Sequence, residues 1–421
     1  MYQAARGTTD ILPAEQPFWR YVENAVVEVT RLYGYERIDT PTFEGTGLFT
    51  HSVGQGTDIV EKEMYTFDDK GGKSLTLRPE GTAPVCRAYL EHGLHNLPRP
   101  VKLYYLAPIF RYERPQAGRL REHHQFGCES FGDADPAIDA EVIEMAWRFY
   151  GRLGLRGLAL SLNSIGCKTC RPAYLAALKD YYARQPVELC SDCKTRLQKN
   201  PLRLLDCKQA SCQPVAEAAP AGIDFLCVPC REHFVRLKKY LDRLEIPFAI
   251  NHRMVRGFDY YTRTVFEFQP PRGGSQSSLG GGGRYDDLIE ELGGKPTPAI
   301  GFGAGIERII LNLKAQSVPV PGAAGPQALI ACLGEEAREM AVKLASDLRQ
   351  AGISAVMTAG EKSLKAQLRQ ANTLGARYTV IIGGDEVRAA AVTLRDMSGA
   401  RQQTVPAADL PGMLDRLLKE I

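Results

Sequence analysis

The run KLYYLAPIFRYERPQAGRLREHHQFGCESF, residues 102–131, leaves this chain few folds to choose from. Apolar and aromatic residues fill Leu103 to Phe110 and a second strand-like run covers His124 to Phe131, so the spacing predicts a hairpin around a long loop. The loop carries Arg111, Arg114, Arg119 and Arg121. Strand side chains alternate faces, so Gln125, Gly127 and Glu129 should share one face, with Gly127 leaving an open floor between an amide and a carboxylate. That is the outline of a polar pocket beside a cluster of cations.

Around this hairpin the pattern alternates helices and short strands. Apolar residues at helical spacing run from Glu15 to Tyr33, and a short strand over Tyr35 to Asp39 leads into Thr40-Pro41, where a proline marks a strand end. Ser74 to Leu77 reads as a strand that breaks at Pro79-Glu80-Gly81 and opens a helix at Thr82, which puts Glu80 and Thr82 at a strand-to-helix corner. Thr82 read alone is equally an N-cap. A long helix from Pro136 to Leu153 has Asp135 as its cap, and strands follow at Ala159 to Ser164, Phe248 to Asn251 and Thr262 to Gln269. Gly280 to Leu288 reads as a glycine loop that opens a helix, and Thr297 to Leu313 as a small-residue strand passing into a helix near Ala304. In that last segment Gly301, Gly303 and Gly305 do not have dinucleotide-binding spacing, whereas an arginine at a helix start, Arg308, suits phosphate.

The stretch SVPVPGAAGP, Ser317 to Pro326, is the clearest linker. It divides the chain into a region 1–324 and a compact α/β region 325–421, in which strands alternate with helices at Glu335 to Ala351, Glu361 to Leu374 and Ala407 to Lys419. A net charge of +3 over 421 residues means that any nucleic-acid surface must be a local patch. The N-terminal sequence lacks a signal-peptide core and no apolar run is long enough for a membrane span, so the expected address is the cytoplasm. Thiols stay reduced there.

Within region 1–324, residues 166–245 form a helix-rich insertion holding eight of the eleven cysteines. Cys167 and Cys170, Cys190 and Cys193, and Cys227 and Cys230 are C-x2-C pairs, and Cys207 and Cys212 are C-x4-C. Such spacings let two thiolates face one tetrahedral zinc, and eight ligands make two sites, with the pairing left open. Simple burial of the thiols is the alternative. Cys86, Cys128 and Cys332 stand apart as core candidates.

Taken together, Ile38-Asp39-Thr40-Pro41, Leu77-Arg78-Pro79-Glu80-Gly81-Thr82, Phe110-Arg111-Tyr112-Glu113, Arg256-Gly257-Phe258-Asp259-Tyr260-Tyr261, Gly282-Gly283-Arg284-Tyr285-Asp286 and Gly301-Phe302-Gly303 to Glu307-Arg308 resemble the motifs of the bacterial histidyl-tRNA synthetases. The resemblance implies an α+β class II synthetase fold, an antiparallel sheet flanked by helices, with a C-terminal α/β anticodon-binding domain. It implies histidine activation by ATP with Mg2+, transfer to the 3′ end of tRNA(His), and a homodimer about the Pro41 motif. By the same resemblance Arg111 and Arg256 are catalytic, Arg111, Arg119 and Arg308 bind ATP, and Glu80, Gly81, Thr82, Gln125, Glu129, Tyr260, Tyr261 and Tyr285 bind histidine. Arg114, Gln116 and Arg121 become candidates for the acceptor stem, and Lys362, Lys365, Arg369 and Arg377 for the anticodon stem. A noncatalytic paralogue that regulates ATP phosphoribosyltransferase shares the core, but the presence of Arg111, Arg256, Arg308 and the final domain speaks against that reading.

Overall fold

The hairpin supplies the second and third strands of an eight-stranded sheet. The computed structural model describes residues 2–419 apart from 55, 56, 58, 117, 186, 187, 272–277, 323, 359, 361 and 400, so the expected helix start at Glu361 lies outside the described residues. The chain forms two compact units, Met1–Pro321 and Gly322–Ile421.

In the first unit the strands run in the order Glu36–Arg37, Val101–Phe110, Glu122–Phe131, Ala299–Gly305, Gly280–Arg284, Thr262–Gln269, Ala159–Ser164 and Ala249–Ile250. Only the two outermost pairings are parallel. The hairpin register sets Tyr105 opposite Gly127 and Ala107 opposite Gln125, and the next pairing sets Gly303 opposite Gly127 and Gly301 opposite Glu129. Alternation along Glu122–Phe131 then separates two cores. Phe126 and Cys128 turn to one face, where Phe149 of the helix Pro136–Arg152 and Phe302 pack edge-on against Phe126. Phe131 turns to the other face, with Tyr105, Tyr260, Tyr261 and Tyr285. Asp135 caps its helix as the sequence predicts, accepting from the Ala137 amide.

The glycine run departs from expectation. Gly280–Arg284 is a fully buried central strand, not a loop, and the helix after it is the short Leu288–Glu291. A Cβ on Gly282 would lie 2.0 Å from the Gly301 carbonyl oxygen, and one on Gly281 would lie 2.5 Å from that of Phe266. Glycine is needed because the neighbouring backbones approach too closely for any side chain.

A smaller sheet, Phe43–Gly45, Ser74–Leu77 and Tyr65–Asp68, leads into the helix Thr82–Glu91. In the second unit a five-stranded sheet runs Ala355–Met357, Ala328–Cys332, Tyr378–Ile382, Ala391–Asp396 and Gln402–Pro406, with the first three parallel and the last two antiparallel. The helices Glu335–Gln350 and Leu410–Lys419 close its core. Among the described residues no helix is long and apolar enough to cross a membrane.

Candidate active site

On the Tyr105 face of the sheet, a narrow pocket opens into a cleft of about 950 Å³. Glu129, 1 % exposed, lies behind the pocket wall, bonded to two of the residues that line it, Thr82 and Tyr285. Its carboxyl accepts from the Thr82 hydroxyl at 2.8 Å and lies 2.5 Å from the Tyr285 hydroxyl. Burial outweighs these bonds and pushes the Glu129 carboxyl up to about 8. Gly301 opposite must lack a side chain, since a Cβ there would stand 1.9 Å from Glu129 Oε2. Gly303 does the same for Gln125, whose Nε2 would lie 2.3 Å away.

Gly127 is not an open floor. The Tyr105 ring covers it, with Cζ 2.2 Å from where a Gly127 Cβ would be, and it covers Gly81 at the same distance. The cross-strand neighbour thus fills the space that alternation alone leaves empty. Glu80, 2 % exposed, accepts from the Thr82 and Ala83 amides at 2.6 and 2.7 Å. It is therefore Glu80, not Thr82, that caps the helix, and Thr82 is released to hold Glu129. Tyr260 stacks flat on Phe258, 5.2 Å between centroids, and meets Tyr285 edge-on.

Arginines line the cleft. Arg111 donates to the Pro79 carbonyl at 2.7 Å and sits over the Phe258 ring. Arg256 pairs with Glu267 at 2.9 Å, and Glu267 also accepts from Gln269. Arg119 pairs with Glu113 at 3.1 Å. Arg308 is held by the carbonyls of Gly118 and Ser278 at 2.8 and 2.9 Å. Its burial and the nearby Arg119 lower its pKa, the mark of cations gathered for an anion. Gln125, Arg256, Phe258 and Gly303 line both the pocket and the cleft and so mark the junction between them.

Sequence reasoning assigned no role here to Tyr105, Glu113 or Glu267. Alternation separates the two adjacent histidines. His124 bonds Glu307 at 2.9 Å and packs edge-on against Trp19, whereas His123 faces the cleft, where burial and then Arg111 and Arg308 push its pKa down to about 3. Arg121, expected to be available to a ligand, instead stacks 3.8 Å over Tyr112 and reaches the carbonyls of Glu113 and Arg6. Arg114 is exposed.

The eight insertion cysteines form two groups, Cys167, Cys170, Cys227 and Cys230, and Cys190, Cys193, Cys207 and Cys212, each with its four Sγ atoms within 4.8 Å of one another. The pairing that spacing left open is thus resolved in space. Cys86, Cys128 and Cys332 are buried away from both groups.

A mainly antiparallel sheet flanked by helices, an arginine-lined cleft beside a polar pocket, and a separate α/β unit define a class II aminoacyl-tRNA synthetase. Comparison with known proteins narrows the class. Residues 7–169 and 227–309 match the histidyl-tRNA synthetase family model, and residues 327–417 match the anticodon binding domain model. A histidine–tRNA ligase of Dehalococcoides mccartyi is 60 % identical over 100 % of this chain and 99 % of its own. One of Pelotomaculum thermopropionicum is 51 % identical over 99 % of this chain and 97 % of its own. The crystal structure of apo S. aureus histidyl-tRNA synthetase superposes with a TM-score of 0.83 at 38 % identity, covering 98 % of this chain and 100 % of that one. The chain belongs to the histidyl-tRNA synthetase family.

Proposed function

We infer that the cleft and its pocket carry out histidine–tRNA ligation. L-Histidine and ATP give histidyl-adenylate and pyrophosphate, and the histidyl group then passes to the 3′ end of tRNA(His) with release of AMP. The observation that carries the assignment is the junction at Gln125 and Arg256, where a polar pocket walled by Glu80, Thr82 and Tyr285 meets the arginine-lined cleft.

Activation joins a carboxylate to the α-phosphate, so the site has to align two anions and stabilise charge that spreads over phosphate oxygens. Arg256 at that junction and Arg111, over the junction residue Phe258, are the catalytic guanidinium groups, each held by a neighbouring acceptor. Arg308 and Arg119 take the distal phosphates, while Arg111 holds the α-phosphate. Gln125, Thr82 and Glu80 face the substrate amino group, with Glu80 offering only the lone pairs that its helix amides leave. Gly81 gives Tyr105 room against the pocket wall. Glu129, Tyr260, Tyr261 and Tyr285 meet the imidazole, whose two nitrogens require one acceptor and one donor in the neutral form.

Mg2+ would enter with ATP and neutralise phosphate charge. The two four-cysteine groups suit structural zinc. The Gly322–Ile421 unit reads the anticodon stem, where Lys362, Lys365, Arg369 and Arg377 are the candidate contacts. Arg114 and Gln116 remain candidates for the acceptor stem. The exposed edge strand Glu36–Arg37, the exposed Pro41 and the half-exposed Phe43 and Phe67 pair offer a surface for homodimerisation. The protein works in the cytoplasm on this reading.

Replacing Arg256 by Ala tests the assignment. Histidine-dependent ATP–pyrophosphate exchange should fall by roughly 10²- to 10³-fold while the circular dichroism spectrum and thermal midpoint stay near wild type. Unchanged exchange would remove Arg256 from the reacting centre.

A further inference from the structure

The family match breaks off after residue 169 and resumes at residue 227, so the segment carrying Cys190, Cys193, Cys207 and Cys212 lies wholly outside it. The first cysteine group spans that seam and ties the two ends of the segment together. In the first group, Cys167 Sγ lies 3.8 Å from both Cys170 Sγ and Cys227 Sγ, and in the second, Cys190 Sγ lies 3.8 Å from Cys207 Sγ. A zinc ion with Zn–S bonds of about 2.3 Å imposes tetrahedral edges of about 3.8 Å, which these three spacings match, and the other Sγ atoms of each group lie within 4.8 Å. Backbone amides point at the sulfurs, from Cys167 to Cys170 Sγ and from Cys190 to Cys212 Sγ. Gly166, at φ +70°, supplies a left-handed turn in which a Cβ would lie 2.7 Å from Cys170 Sγ.

The second group is also the centre of a small core. Tyr174, Leu178, Tyr182, Leu204 and Val215 surround its buried cysteines, and Val255, next to Arg256, packs against them. Two polar contacts extend from the same centre to the same loop. Asn200, at the end of the helix that starts at Ser191, donates to Asp259 at 2.7 Å, and Gln213, the residue after Cys212, accepts from Arg253 at 3.3 Å. Contacts at residues 253, 255 and 259 thus bracket Arg256. From the first group, Arg171 bonds the Tyr261 carbonyl and so fixes the far end of the loop.

We propose that Cys190, Cys193, Cys207 and Cys212 bind one zinc ion that positions the Arg256 loop, making histidine activation depend on a metal that does not touch the substrates. This rests on reading the two groups as zinc sites. The ion holds Asn200 and Gln213 in place, and they hold the loop in the register that sets Arg256 against Glu267 at the pocket mouth. Its part is positional, because four thiolates close the coordination shell and leave no place for substrate.

The test uses the full chain purified without added metal. Elemental analysis should find two zinc ions per chain, and Cys207→Ser/Cys212→Ser should retain one. In pyrophosphate exchange that variant should lose at least tenfold in kcat and show a raised KM for histidine. Asn200→Ala, which leaves every cysteine in place, should keep two zinc ions and show the same change in smaller degree, at least threefold. Wild-type protein without zinc, or with iron in its place, would overturn the zinc reading. Two zinc ions in the wild type and one in the double variant, with kcat and KM unchanged, would leave the zinc reading standing and overturn the positioning. If the double variant does not fold, unaltered kinetics in Asn200→Ala with two zinc ions would overturn the positioning by itself.

Discussion

Glu129 shows how burial and two hydroxyl partners tune a single carboxyl. It is buried beneath the strand that carries Gly301, holds two hydroxyl partners, and has its pKa raised to about 8 chiefly by desolvation. A raised carboxylate pKa means that the folded state retains a proton that the unfolded state gives up near pH 4.5. The associated stability is therefore fully present below about 4.5 and is lost as pH rises towards about 8, at up to ~1.4 kcal/mol per pH unit. Glu129→Gln removes this titration. The thermal midpoint of the wild type should fall more between pH 5 and pH 8.5 than that of the variant, and the variant's KM for histidine should rise at least tenfold with its KM for ATP little changed. Parallel pH profiles with an unaltered KM for histidine would show that Glu129 is an ordinary core residue. Its place on a common face with Gln125 was legible because alternation along one strand needs no other information. Tyr105 over Gly127 was not legible, because that contact depends on the register between two strands, which a local pattern does not contain. The cap at Glu80 was hidden for a similar reason, since Thr82 is the more usual capping residue type and only the fold shows its hydroxyl turned to Glu129.

Among the elements, the glycine strand departs most from its sequence. Glycine has low strand propensity and no side chain to alternate, so Gly280 to Gly283 carries no periodic signal and reads as a loop. Its role appears only when Thr262–Gln269 and Ala299–Gly305 pair on either side of it. Gly282→Ala should destabilise the first unit by about 3 kcal/mol or more, because its Cβ would meet the backbone of Gly301 and Phe302. Gly151→Ala, in the helix Pro136–Arg152 with nothing within 4 Å of the new Cβ, should be neutral or stabilise by about 0.5–1 kcal/mol. Thermal unfolding of the two variants checks the pair, and a Gly282 variant as stable as wild type would show that the strand can spread. The helices were easier to read. Pro136–Arg152 and Glu335–Gln350 carry strong apolar periodicity, and the expected boundaries lie within a residue of those observed.

At the scale of the whole molecule, ordered motifs far apart in the chain revealed more than any element did. Glu80, Arg111, Gln125, Arg256, Tyr285 and Arg308 come from segments spread over more than two hundred residues, and the sheet order brings them to one cleft and pocket. Physical pattern alone predicted the pieces, and only the resemblance of their order pointed to the assembly. Cysteine spacing made the two four-thiolate groups countable, while their partition waited for the fold, because C-x2-C pairs are interchangeable in sequence. The central claim is that this assembled pocket selects histidine by its polar partners. ATP–pyrophosphate exchange by the full chain, measured against each of the standard amino acids, tests it most directly. Histidine should support exchange with a kcat/KM roughly 10⁴-fold above any other, because a side chain without the imidazole's donor and acceptor leaves polar groups of the pocket wall unmatched. Comparable exchange with glutamine, asparagine or an apolar amino acid would contradict it.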